Sequence, residues 1–191
     1  MTRRACQNAL GSLGAGTGES FNGPVLLDPY AAIALLAPLQ FQLNARTVLR
    51  GMSRWKDALG TSVASPAFTL IDDGRLPGGV ATSAFDREGT PHRGLPLIEG
   101  GVVRSFLHSS YTAHAFGVDS TGNAAGSAGT LPMIAPTNLM VAPGEQSKAD
   151  LISTMKRGLL VSRFSGNADP ISGDFSGVAK AAHLIVNGKV D

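Results

Sequence analysis

The stretch FSGNADPISGDFSGVAKAAHLIVNGKV, Phe164 to Val190, decides how the rest of the chain is read. Gly166, Asn167, Pro170, Gly173 and Gly177 are turn-forming residues, so its first part reads as apolar strand broken by turns. Ala182, Leu184 and Val186 then alternate with His183, Ile185 and Asn187, the period of a strand. Asn187-Gly188 closes a hairpin, because that pair accepts the backbone of a tight two-residue turn.

Outward from this stretch, the chain from Ser65 onward is strand-rich. PAFTLID and GGVATSAFD read as strands, Asp86 to Pro91 as a turn, and Leu97 to Val103 as a hairpin around Gly100-Gly101 that returns through Phe106-Leu107. Thr137 to Val141 is a further strand. Ser147 is an N-cap for a surface helix over Lys148 to Gly158, with Leu151, Ile152 and Met155 turned inward. Tyr111 to Gly117 has room for one or two helical turns.

Toward the N-terminus, Gly23 to Leu27 reads as a short strand, followed by Asp28 as N-cap and Pro29 at the first helical position. The helix that begins there places Ile33, Leu36, Gln40 and Leu43 along one stripe, with Leu35, Leu39 and Gln42 adjacent. Pro38 lies inside it, deleting the bond to the Ala34 carbonyl at a cost of ~3 kcal/mol, so the helix is expected to bend or stop. The expected fold class is α+β: mainly antiparallel β-sheet, barrel-like or sandwich, with one long N-terminal helix and one shorter surface helix. Leu36, Leu39, Phe41, Phe68, Leu70, Phe106, Leu139, Leu151, Phe175 and Ile185 are the expected core.

Composition bounds the function. The chain has 191 residues, 43% of them hydrophobic and 16% charged, which suits one globular domain over 23–191 after a flexible, glycine-rich lead-in over 1–22. Sixteen basic and fourteen acidic residues are dispersed along the chain, so no nucleic-acid footprint is visible. Cys6 is the single cysteine and cannot form an intrachain disulfide, which fits a reducing compartment, and a cytoplasmic location is expected. Arg3 and Arg4 have no apolar run behind them for a secretory signal, and the apolar stretch Pro24 to Leu43 is interrupted by Asp28, Pro29 and Pro38, so no membrane partner is expected.

Among groups that could carry chemistry, His92, His108, His114 and His183 include no pair at the four-residue step of a helical zinc site. Asp72-Asp73 reads as the entry to a turn, since adjacent strand residues face opposite ways and a glycine follows. Asp169 and Asp174 also fall at turn positions. Trp55 reads as an aromatic anchor for its loop. Ser120 to Gly129 (STGNAAGSAG) is too small and polar to pack as either element, and such a loop exposes backbone N–H groups that could clasp a peptide or an anion. A nucleophile-elbow serine motif and a phosphate-binding glycine loop are both absent from the sequence.

Together with LIDDGRLPGG (Leu70 to Gly79), STGNA (Ser120 to Ala124) and PTNLMVAPGEQS (Pro136 to Ser147), the opening stretch resembles the C-terminal domain of the TldD/PmbA family, metalloprotease-related proteins once described as modulators of DNA gyrase. The order and spacing of the four segments carry the resemblance, which runs from about Gly23 to Val190. Family members have a separate N-terminal domain and a further C-terminal segment, so a fragment or a shortened gene product is expected.

In TldD-type subunits the corresponding helix carries an HExxxH motif after an apolar pair. Set after Leu35-Leu36, that motif falls on Ala37, Pro38 and Gln42, and the cysteine that completes the family's zinc site has no counterpart before Asp191. Alanine has no donor atom, proline cannot take a proton, and an amide is a poor zinc ligand.

The resemblance therefore implies a PmbA/TldE-type subunit with no catalytic residue and no cofactor of its own, zinc being expected only in a TldD-type partner. It implies pairing with a TldD-type subunit or a second copy, and an extended peptide held near Ser120, Thr121, Gly122, Asn123, Ala124, Gly173, Asp174 and Phe175. The rival expectation is a TldD/PmbA-family metalloprotease acting through unrecognised metal ligands, among which His108, in the segment FLHSSYTA, comes first.

Overall fold

A computed structural model describes residues 6, 9–11, 13, 14, 16 and 18–191. The lead-in expected over 1–22 thus falls partly outside the described residues. In chain order the elements are β1 (Val25–Leu27), α1 (Pro29–Leu36), α2 (Leu39–Gln42), α3 (Ala45–Leu49), β2 (Leu70–Asp73), β3 (Gly94–Glu99), β4 (Val102–Val103), α4 (Ser110–Phe116), β5 (Ala124–Ala125), β6 (Met133–Ile134), β7 (Leu139–Val141), α5 (Lys148–Thr154), β8 (Arg157–Ala168), β9 (Phe175–Val186) and β10 (Lys189–Val190). They form two compact units, one of residues 1–37, 145–168 and 174–191, the other of residues 38–144 and 169–173.

The first unit is a four-stranded sheet in the order β1-β8-β9-β10, in which only the β1–β8 pair is parallel. Asn187 and Gly188 have φ of 48° and 76°, the two positive values that a tight turn matching strand twist requires, and they close β9 onto β10 as expected. Gly166 and Gly177 do not interrupt the strands. They face each other in the β8–β9 ladder, where a Cβ on Gly177 would run into the Phe164 ring. Absence of a side chain here makes room for an aromatic ring rather than for a turn. The actual turn spans Asp169 to Gly173.

Ala31, Leu160, Val161 and Ile185 form the buried part of this unit. Asp28 occupies the N-cap position of α1, yet its side chain serves tertiary structure instead, accepting from Lys148 Nζ at 2.7 Å and Ser162 Oγ at 2.8 Å. Ser147 caps α5 with a reciprocal bond pair to Asp150, as its position predicts. That helix ends at Thr154, short of the expected Gly158, which is a buried strand residue packed against the Pro24 carbonyl.

The expected long N-terminal helix is three short ones. Pro38 stops α1 outright: it sits at the N-cap of α2, and Asn44 then leaves helical geometry to cap α3 by accepting from Arg46 N at 2.9 Å. The apolar stripe drawn along one continuous helix is lost with it, and Ile33 is 66% exposed while Leu43 is buried.

The second unit holds a sheet of order β4-β3-β2-β7, antiparallel throughout, and the two-stranded pair β5-β6. Gly100 and Gly101, both at positive φ, join β3 to β4 as the sequence suggests. GGVATSAFD is not a strand. It folds as successive turns tied down by Asn138, whose Oδ1 accepts from Ala81 N at 3.0 Å and whose Nδ2 donates to the Asp73 carbonyl at 2.8 Å. Leu43, Val48, Leu70, Leu95, Leu97, Ile98, Val103, Phe106 and Leu107 are the large members of the core, and Trp55 packs against it as an anchor.

Of the expected core, Leu70, Phe106 and Ile185 are buried, and Leu39, Phe68 and Leu139 pack half-buried on the second unit's core. Leu36, Phe41 and Leu151 are half-buried, and Phe175 is 65% exposed at the start of β9, its ring edge-on to Phe164 at 6.2 Å. Ile185→Ala should therefore cost about 2–5 kcal/mol of unfolding free energy in denaturant titration, whereas Phe175→Ala should cost well under half of that. A larger loss at Phe175 than at Ile185 would contradict this packing.

Candidate functional site

Strand alternation turns Asp72 into the second unit and Asp73 toward its surface. Asp73 opens a turn, its Oδ1 accepting from Arg75 N at 2.8 Å. Asp72, only 2% exposed, is the hub of a polar network that its reading as a turn residue missed. Its Oδ1 accepts from Thr137 N at 2.8 Å and Thr137 Oγ1 at 2.9 Å, and its Oδ2 accepts from Asn123 Nδ2 at 2.7 Å. Asn123 Oδ1 in turn accepts from Thr121 Oγ1 at 2.6 Å, and Thr121 Oγ1 accepts from His108 N at 2.7 Å.

A second buried carboxylate, Asp86, organises the turn Asp86 to Pro91. Its Oδ1 accepts from Glu88 N and Thr90 N, and its Oδ2 from Ala124 N, all at 2.9 Å. Both carboxylates are satisfied by N–H and O–H donors, not by cations.

These bonds change the picture of Ser120 to Ala124. Thr121, Gly122, Asn123 and Ala124 are buried, and the loop continues into β5 where an unstructured segment is expected. Its N–H groups point inward: Asn123 N donates to the His108 carbonyl at 3.3 Å, Gly122 N to Ser120 Oγ at 3.3 Å, and Ala124 N to Asp86. Thr121 and Asn123 brace the unit, and Asn123 and Ala124 also reach a cleft of about 280 Å³ beside β5.

Asp86, Arg87 and His92 lie along the same cleft, with Phe85, 62% exposed, on its lining. Arg87 N donates to the Ala124 carbonyl at 3.1 Å, and its guanidinium donates to Ala128 O at 3.2 Å and Thr130 Oγ1 at 3.4 Å. His92 has its ring beneath Gly74, where a Cβ would meet Cγ at 2.5 Å. An aspartate followed at the third residue by glycine signals the Asp86 turn in sequence; nothing local marks Arg87 or His92.

His108 lies deeper. It is 5% exposed, its Nδ1 has no hydrogen-bond partner, and its ring meets Phe116 edge-on at 5.5 Å. Desolvation by burial pulls its pKa below the ordinary 6.5, against a smaller opposing effect from a backbone bond with Thr112. Among the described residues, no group of three or more His, Cys, Asp or Glu is gathered where it could hold a metal ion.

At the positions onto which the resemblance would set a zinc site, Ala37 is an exposed methyl and Pro38 a pyrrolidine ring. Gln42 is buried, and both of its polar side-chain atoms are hydrogen-bonded. Its Oε1 accepts from Arg54 N at 2.8 Å and Ser53 Oγ at 3.1 Å, and its Nε2 donates to the Pro170 carbonyl. This donor set does not fit zinc, which takes imidazole, thiolate or carboxylate.

Gln42 thereby holds the turn Asp169 to Gly173, to which Arg54 adds a bond at the Ser172 carbonyl. Within the turn Asp169 Oδ1 accepts from Ile171 N at 2.7 Å and Ser172 N at 3.2 Å, and the Ile171 bond does most to lower the Asp169 pKa. Of the eight residues expected to touch a peptide, Ser120 to Ala124 and Gly173 belong to the second unit, and Asp174 and Phe175 to the first.

The sequence profile of the PmbA/TldA metallopeptidase C-terminal domain matches residues 20–191, which defines the class as a metallopeptidase-related C-terminal domain. The chain belongs to the TldD/PmbA family. It is 32% identical over 168 residues to a metalloprotease of Methanocaldococcus jannaschii, covering 87% of this chain and 37% of that protein. It superposes with a TM-score of 0.90 on a protein described as a modulator of a DNA gyrase from Thermotoga maritima, at 35% identity over 99% of this chain and 44% of that one. A TM-score of 0.90 is also reached with TldE from Thermococcus kodakarensis, at 26% identity over 98% of this chain and 43% of that one. The chain thus spans less than half the length of these relatives. Among the described residues, no helix is long and apolar enough to cross a membrane.

Two outcomes follow from the network. Asp72→Ala strands three buried or half-buried donors and should cost about 2–5 kcal/mol by denaturant titration. Because the folded state holds His108 neutral, it binds fewer protons than the unfolded state. Stability should accordingly be full above pH 6.5 and fall as pH drops through 6.5 toward the lower folded pKa, and His108→Phe should flatten that part of the profile.

Proposed function

We propose that this chain serves as a PmbA/TldE-type subunit of a TldD/PmbA metalloprotease system, pairing with a zinc-bearing TldD-type partner or a second copy and helping to hold an extended peptide. The observation that carries this reading is Gln42. At the position onto which the resemblance sets a TldD-type metal-binding histidine, both polar atoms of this side chain bond to Ser53, Arg54 and Pro170. The likeness to TldE supports the same assignment.

In this reading Ser120 to Ala124 act by supporting the cleft, and Gly173, Asp174 and Phe175 contribute at the β8–β9 turn. Peptide capture would proceed by main-chain pairing along a sheet edge, which accepts many sequences and reads only alternate side chains. Hydrolysis would be supplied by the partner's zinc, whose bound water is activated there and not on this chain.

The test is a cleavage assay on an unfolded peptide with the chain alone, with a TldD-type subunit alone, and with both. Cleavage should require the TldD-type subunit and rise when this chain is added. Chelator-sensitive cleavage by this chain alone would establish instead a metalloprotease with ligands of its own. Combining Ala37→His, Pro38→Glu and Gln42→His should leave the chain inactive, since a five-residue helical step sets the two histidines ~140° apart around an ideal helix. It also releases the turn that Gln42 holds.

A further inference from the structure

The cleft beside β5 presents hydrogen-bond donors for which its own walls supply no acceptor. Its two side-chain acceptors from Asp86 and Asn123 are engaged: Asp86 receives three main-chain N–H groups on its two oxygens, and Asn123 Oδ1 receives the Thr121 hydroxyl. Its donors are not. The Arg87 guanidinium has five N–H groups and directs bonds only at two neutral acceptors, Ala128 O and Thr130 Oγ1, with no carboxylate paired to it among the described residues. His92 is 7% exposed, lines the cleft, and makes no ring hydrogen bond among the described residues. The ring therefore keeps its hydrogen-bonding capacity for whatever enters the cleft.

We infer that this cleft binds a carboxylate, with the His92 ring N–H and the Arg87 guanidinium as its donors. An ionised ligand is favoured over a neutral carbonyl because both bonds then become charge-assisted and Arg87 gains the countercharge it lacks. The neighbouring Asp86 carboxylate opposes this less than its proximity suggests, since three N–H dipoles already converge on it. At about 280 Å³ the cleft is just below the size that takes drug-like molecules, so it suits the end of a chain or one side chain, not a folded partner.

The inference rests on the proposed function only in taking the carboxylate from a peptide. That group is either the C-terminal carboxylate or an Asp or Glu side chain.

The test is an NMR titration of the full chain, reading the His92 ring signals, which are assigned by their disappearance in His92→Gln. Three probes separate the sources: N-acetyl-trialanine as the free acid, the same peptide amidated, and N-acetyl-Ala-Glu-Ala amide. A saturable His92 shift with the free acid but not with its amide assigns a C-terminal carboxylate. A shift with the glutamyl amide assigns a side chain. In either case Arg87→Gln should weaken binding about tenfold or more, with the melting temperature held.

His92 signals unmoved by both carboxylate probes, or moved equally by the fully amidated trialanine, would overturn the inference. Should His92→Gln not fold, assignment by through-bond experiments on the unaltered chain and the Arg87→Gln titration decide the matter. Binding without any effect of this chain on TldD-dependent cleavage would remove the proposed function and leave the site, and an effect without binding would do the reverse.

Discussion

The second unit depends on one buried carboxylate. Asp72 draws together β2, the Thr121–Asn123 loop and the entry to β7 through three hydrogen bonds of 2.7–2.9 Å. Leu70 and Leu139 pack in or on the core, but the Thr121–Asn123 loop has no large apolar side chain and is held by these polar bonds. A carboxylate accepting several N–H and O–H donors is a directional clamp, whose cost of burial is offset only when all its donors are in place. Asp86 repeats the device in the turn Asp86 to Pro91 and sets Ala124 at the side of the cleft. The small residues of STGNA serve close approach to these carboxylates, not mobility.

The same economy appears at Gln42. An amide that accepts from Arg54 and Ser53 and donates to Pro170 fixes the Asp169–Gly173 turn, at the position where the proposed correspondence with TldD-type subunits would set a metal ligand. Chemistry and architecture compete for one side chain, since a histidine aimed at a metal cannot also satisfy both a main-chain N–H and a main-chain carbonyl in this geometry.

Much of this was legible in the sequence wherever a local rule sufficed. Asn187-Gly188, Gly100-Gly101, the Ser147 cap and the stop at Pro38 are decided by backbone chemistry within a few residues, and the structure has each of them. Reading failed where distant residues decide. Gly166 and Gly177 look like turn glycines until the Phe164 ring is placed over them, and Phe175 looks like a core aromatic until its place beside the β8–β9 turn leaves it exposed. Asp72 looked like a turn residue because its partners lie 51 and 65 positions away. The family was legible because four ordered segments carry it, whereas Arg87 and His92, which need the fold to bring them to one cleft, were not.

The central proposal is that Gln42, set by the family resemblance at a zinc-site position, serves the fold here and does not bind metal. The most direct measurement is equilibrium dialysis of the purified chain against zinc, with metal content determined after removal of weakly held ions. The account predicts well under one zinc per chain, unchanged when Gln42 is replaced by asparagine. One tightly held zinc per chain, lost on that replacement, would contradict it.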